Sequence, residues 1–158
     1  MPDPAAIHST FVLERRYPRP PERVFAAFAD ADRKRRWMGE SDSHTVEKFE
    51  SDFRVGGGER MRYRYGVDTP LKGAAITSEG LHLDIVPDRR IVIASNMAFD
   101  HGPRFSASLV TFEFFAEDGG TLLVCTHQGA FFEGADGPDL RKGGWEALLA
   151  RLAAETTR

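Results

Sequence analysis

Apolar positions repeat with two periods along this chain, and the change of period marks out its elements. Residues 8–17 (His-Ser-Thr-Phe-Val-Leu-Glu-Arg-Arg-Tyr) are rich in strand formers, and Pro18, Pro20 and Pro21 end the strand because proline has no amide hydrogen for a sheet ladder. Pro21 suits the first turn of a helix and Glu22 suits the positive helix end; Val24, Phe25 and Phe28 follow at helical spacing. Asp30 reads as the N-cap of a second short helix, which Trp37 and Met38 close before Gly39. From about residue 44 to 128 the period is two. Met61, Tyr63 and Tyr65 alternate with Arg60, Arg62 and Arg64; Leu81, Leu83 and Ile85 alternate with His82 and Asp84; Ile91, Ile93, Ser95, Met97 and Phe99 share one face, as do Val110, Phe112 and Phe114. Turn formers separate the runs: Gly56-Gly57-Gly58, Asp68-Thr69-Pro70, Pro87-Asp88, Asp100 to Pro103 and Asp118-Gly119-Gly120. Connections this short join antiparallel neighbours. After Pro138 the helical period returns, with Trp145, Leu148, Leu149 and Leu152 on one stripe and Arg141, Glu146, Arg151 and Glu155 mostly off it. Gly143 and Gly144 weaken the first turns, so either this helix begins nearer Trp145 or the glycines let its backbone approach a sheet.

The order of elements (strand, two short helices, about six strands, one long helix) predicts an α+β domain with helices on one face of an antiparallel sheet. Six or seven strands at ~4.8 Å spacing make a sheet on the order of 30 Å wide, whereas a helix with its side chains is only ~10–12 Å across. The sheet must therefore curl around the long helix, aided by its twist. Two short helices plug one end, and an apolar pocket at the other is the expected ligand site.

Composition narrows the function. The 158 residues fit one domain, 1–158, and 21 Lys plus Arg against 24 Asp plus Glu leave a net charge of −3. That balance argues against a nucleic-acid binder. The basic run Arg33-Lys34-Arg35-Arg36 and the Arg60, Arg62, Arg64 stripe read as solvated surface. No apolar run approaches the ~20 residues that span a bilayer, and Met1 to Thr10 has no signal-like apolar stretch. Cys125 is the single cysteine, which leaves no internal disulfide and no multi-cysteine zinc site and fits a reducing, cytoplasmic compartment.

Five segments, in order, resemble the START-like (SRPBCC) superfamily, and within it the bacterial proteins similar to the activator of the 90-kDa heat-shock protein ATPase. They are Arg23 to Phe28 with Asp32 and Trp37 following; Phe53-Arg54-Val55-Gly56-Gly57; Gly80 to Ile91; Gly120 to His127; and Gly144-Trp145 with Leu148 and Leu152. The resemblance covers nearly the whole chain. It implies a helix-grip fold, a curved antiparallel sheet of six to seven strands around a long C-terminal helix with two short helices after strand 1. That is the shape the widths require. It also favours Leu123, Cys125 and His127 on the inward face of their strand. The family includes carriers of lipids and small hydrophobes, polyketide cyclases and a stress-related co-chaperone domain, so the site must carry the functional argument.

The phases aim Trp37, Met61, Tyr63, Leu83, Ile93, Met97, Phe112, Phe114, Trp145 and Leu149 at one interior, with His127 at its rim. Each doubles as core, but aromatic and methionine walls suit a small hydrophobic or aromatic molecule. His127 can hold a ligand oxygen or move a proton, and is the one candidate for general acid–base catalysis; no assembled catalytic set is present. His82 and Asp84 share a strand face as half of a zinc site with no third ligand nearby, so no metal is expected. His101, beside Asp100, reads as solvated. Glu50 and Glu79 stay open as buried acids. Gly56-Gly57-Gly58 lacks the Lys-Ser/Thr and helix start of a phosphate loop and reads as a tight turn, so no cofactor is expected. Cys125 reads as a buried inert thiol. A binding module ranks first, an enzyme of cyclase or hydrolase type second and a co-chaperone-like protein third. A homodimer and a chaperone partner stay open.

Overall fold

A computed structural model describes residues 5–100 and 102–158; His101 lies outside the described residues. Strand β1 (Ile7–Tyr17) leads into helix α1 (Pro21–Ala29), the short α2 (Ala31–Lys34) and a π-helical turn (Arg35–Gly39). Six strands follow, β2 (His44–Ser51), β3 (Gly58–Tyr65), β4 (Ala75–Val86), β5 (Arg90–Phe99), β6 (Arg104–Glu117) and β7 (Gly120–Phe131), and then helix α3 (Pro138–Thr156). All seven strands form one antiparallel sheet in the order β1-β7-β6-β5-β4-β3-β2. The Asp30 side chain caps α2 as its position in the sequence requires, accepting from the Asp32 and Arg33 amides.

The helices and the inward side chains meet in two apolar clusters. The larger joins β1, β5, β6, β7, α1 and α3 through Phe11, Leu13, Phe28, Trp37, Ile93, Phe112, Phe114, Leu123, Leu149 and Leu152. Phe28 is its hub, edge-on to Trp37 and Phe114 and tilted against Phe112 at 4.8 Å. Trp37 donates its indole N–H to the Ala27 carbonyl at 2.8 Å, so this ring is buried without an unmet polar atom. The smaller cluster gathers Met61, Tyr63, Ile76 and Phe105, with Met97 and Phe99 against it.

Three sequence expectations change. On β4, Leu83 is 46% exposed on the outer face, as is Leu81, while His82 is fully buried. The inward residues are Ile76, Ser78, Gly80 and His82; a bulge between His82 and Asp84 then shifts the register by one, so that Ile85 faces Ile91. Leu83 therefore leaves the candidate site, and His82 and Asp84 are parted, Asp84 bonding outward to Arg90 at 2.6 Å. Second, the run Arg33 to Arg36 is not all surface. Lys34 is 4% exposed and its ammonium lies 2.7 Å from the Glu59 carboxylate, and Arg36 forks onto buried Glu155 at 2.6 and 3.2 Å. Third, α3 starts at Pro138, and its buried stripe runs from Arg141 through Leu149 and Leu152 to Glu155, with Trp145 half-buried against Phe112. Gly143 and Gly144 are exposed, and a Cβ on either meets nothing within 4 Å; neither a late start nor a close approach explains them. Gly143→Ala and Gly144→Ala are each expected to stabilise the protein by about 0.5–1 kcal/mol, read as a raised urea midpoint. A lowered midpoint would show that the glycines serve a contact absent from this fold.

The Arg60, Arg62 and Arg64 stripe lies on the outer face as expected, tied to Glu79, Glu47 and Asp100. Glu79 and Glu50 are solvated acids rather than buried ones, paired with Arg60 and Lys48. No helix among the described residues is long and apolar enough to cross a membrane.

Candidate ligand site

Register turns the inward face of the sheet into cross-strand rows. The first runs Phe11, His127, Val110, Ile93, His82 across β1, β7, β6, β5 and β4, and all five are buried. The second, one step along each strand, runs Ser9, Gly129, Ser108, Ser95, Gly80 and ends on Glu59. The third runs Phe131, Ser106, Met97, Ser78, Met61. The middle row is made of glycine and serine and is half-buried throughout. It forms a shallow polar furrow between the two apolar clusters.

Side chains of the first row lean over its glycines. A Cβ on Gly80 would sit 2.8 Å from Ile93 Cδ1, and one on Gly129 2.8 Å from His127 Cε1 and 3.0 Å from Phe131. Between them the Ser95 and Ser108 hydroxyls share a hydrogen bond of 3.0 Å.

His127 lies within β7, four residues before its end, and is buried rather than at a rim, 1% exposed. Its ring is stacked on Phe11 at 4.6 Å and faces Phe131 at 6.2 Å. Among the described residues neither ring nitrogen has a hydrogen-bond partner. Burial, reinforced by the nearby Arg141 charge, pushes its pKa down to about 4, so the imidazole is neutral at physiological pH. Arg141, on the first turns of α3, lies over the Phe131 ring at 5.0 Å, forks onto Asp136 at 2.8 and 2.9 Å and donates to Ser106 at 2.9 Å. Tyr63 and Tyr65 close this end with His44 against both rings; burial raises both phenol pKa values and lowers that of His44.

His82 has a structural task. Its amide and carbonyl bond Gly57 and Gly56, and its Nδ1–H donates to the Gly57 carbonyl at 3.0 Å, which leaves Nε2 as a buried acceptor without a partner. The glycine turn is thus pinned to β4. Gly57 cannot carry a side chain, because a Cβ would strike the Asp52 carbonyl. Among the described residues, no three His, Cys, Asp or Glu side chains gather as metal ligands. Burial pushes the Cys125 thiol up to about 12, which keeps it protonated.

The expected site residues therefore divide. Ile93, Phe112, Phe114, Trp37, Leu149 and Trp145 belong to the larger cluster, Met61, Tyr63 and Met97 to the smaller, and His127 stands beside the furrow between them. Sequence reasoning passed over Ser108, Gly129, Arg141 and Glu59. Parity with Met61 and Tyr63 points Glu59 inward, and Arg141 lies one turn before Trp145 on its stripe. Two open depressions lie elsewhere on the surface of the described residues. One, of about 400 Å³, is lined by Arg16 to Pro18 and Glu117 to Gly120; the other, of about 250 Å³, by Arg35, Glu40, Ser41, His44, Thr45 and Val46. Neither is lined by the furrow residues.

A seven-stranded antiparallel sheet curved about a C-terminal helix, with two short helices after the first strand, defines a helix-grip protein of the START-like class. Residues 18–156 match the family described as activator of Hsp90 ATPase homolog 1-like protein, and the chain belongs to that family. A protein of Rhizobium loti whose crystal structure is known is 47% identical over 95% of this chain and 98% of its own, with a TM-score of 0.83. An uncharacterised protein of Rhizobium leguminosarum is 36% identical over 97% of each chain, with a TM-score of 0.86. An AHSA1-like protein of Aeromonas hydrophila, 20% identical over 94% of this chain and 92% of its own, shares the fold at a TM-score of 0.69. No curated protein matches the chain.

Proposed function

We propose that the protein binds a small hydrophobic or aromatic molecule between the concave face of the sheet and α3. The observation that carries this reading is His127, an imidazole 1% exposed whose two nitrogens are unpartnered. A buried polar group without a partner costs about 1–3 kcal/mol, and a ligand atom in the adjoining furrow removes that cost. Met61, Met97, Ile93 and Phe131 supply the apolar walls.

Binding ranks above catalysis because the His127 ring is held by stacking on Phe11 and Phe131, while no hydrogen bond among the described residues fixes its tautomer. A general acid or base needs a fixed tautomer and a group within ~2.6–3.2 Å of the proton it moves, and no carboxylate among the described residues holds this ring. The compartment that fits a lone buried thiol is the cytoplasm, and neither nucleic acid nor membrane belongs to this reading.

A thermal-shift screen of apolar and aromatic metabolites tests it. A ligand at a hundred times its Kd is expected to add about 2.7 kcal/mol and to raise the melting temperature. A screen without a single shift would remove the reading. Family membership favours a second, co-chaperone-like reading. Stimulation of a 90-kDa chaperone ATPase by the purified protein is its test, and an unchanged rate without capture of the chaperone counts against it.

A further inference from the structure

We propose that the ligand is a flat, uncharged ring system bearing a hydroxyl group, and that this hydroxyl sits over the Ser95–Ser108 pair against the edge of His127. The inference rests on the binding reading above and names the chemistry of its ligand.

Three observations carry it. The first is the hydrogen-bond inventory. The two serine hydroxyls spend one hydrogen on each other, which leaves one donor and spare lone pairs. A neutral imidazole also offers one N–H and one lone pair, both unspent. A wall that both donates and accepts at neighbouring points matches a hydroxyl, which does the same. The second is charge. The charged groups nearest His127 are Arg141 and Asp136, which satisfy each other in a forked pair, and Glu59 at the furrow's end is paired with Lys34, so among the described residues the furrow offers no unpaired charge to an ionic ligand. The third is shape. Ile93 covers Gly80 and His127 covers Gly129, so the open part of the furrow lies above Ser95 and Ser108, one strand spacing apart, ~4.8 Å. Ile93 and Val110 flank the pair in one row; in the other, Met97 flanks Ser95, and Ser106, bonded to Arg141, flanks Ser108. A slot with three apolar flanks and a polar floor takes a thin ring edge-on, oxygen downward.

Isothermal titration of the full chain with 2-naphthol and with 2-methylnaphthalene, nearly equal in size, tests this. 2-Naphthol is expected to bind about tenfold more tightly, the ratio that one to two net hydrogen bonds supply. Ser95→Ala/Ser108→Ala is expected to bring the two within about twofold, with a cooperative thermal unfolding transition like the wild type's reporting that the variant is folded; Ser108→Ala alone should lose part of the preference. The imidazole nitrogen resonances of His127 should move with 2-naphthol and not with its methyl counterpart. Equal affinities in the wild type, or a preference that survives loss of both hydroxyls, would overturn the inference and leave the binding reading standing. Absence of binding by both compounds would overturn the two together.

Discussion

Glu59→Ala is expected to destabilise the protein by about 3–5 kcal/mol, because it leaves the Lys34 ammonium buried and unpaired. The pair spans α2 and β3: Lys34 has a side-chain exposure of 5% and Glu59 of 11%, with nitrogen and oxygen 2.7 Å apart. Taking two charges out of water cancels much of their attraction, so the pair as a whole contributes little net stability and its halves contribute a great deal to each other. The double variant Lys34→Met/Glu59→Leu is therefore expected to recover most of the loss. Urea denaturation of the three proteins measures both effects. A loss below about 1 kcal/mol in the single variant would mean that the ammonium reaches water and that α2 is not clamped down.

Acid is expected to act through His127. Its pKa is lowered to about 4 in the fold, against about 6.5 in an unfolded chain. Between those values the unfolded chain binds more protons than the native one, so stability falls as pH drops. The full contribution is present above pH ~6.5 and is lost as pH falls through that window, amounting to about 3 kcal/mol by pH ~4. His44, lowered by burial and by Arg151, adds in the same direction. His127→Phe keeps a flat ring between Phe11 and Phe131 but binds no proton. Unfolding free energies at pH 7, 5 and 4 should fall less steeply in this variant than in the wild type. Parallel profiles would show that the imidazole has access to solvent in the native state.

The alternation from Arg60 to Tyr65 and from Ile91 to Met97 reads directly as strand faces, because the side-chain period of a strand leaves a visible trace in the sequence. The helix stripe on α3 is equally visible at its apolar centre and hidden at its ends, where Arg141 and Glu155 occupy inward positions normally taken by apolar residues. Leu83 misled because one extra residue in β4 reverses the phase, and a bulge has no residue signature of its own here. The furrow was hidden for a different reason. Ser95 and Ser108 are recognisable as inward residues from their own strands, yet only register makes them neighbours, and register is a property of strand pairs. The Lys34–Glu59 pair shares that character: each partner is unremarkable alone, and the two meet only once the helices lie over the sheet.

The strand order carries one more consequence. From β2 to β7 each strand lies beside its successor in the chain, so those hairpins can assemble as the polypeptide leaves the ribosome. β1 instead pairs with β7 along its whole length, Ile7 opposite Phe131 and Tyr17 opposite Thr121. Strand β1, which precedes the other six, thus has no ladder to join until β7 exists, and Phe11, stacked on His127, reaches its place only after β7 has been made.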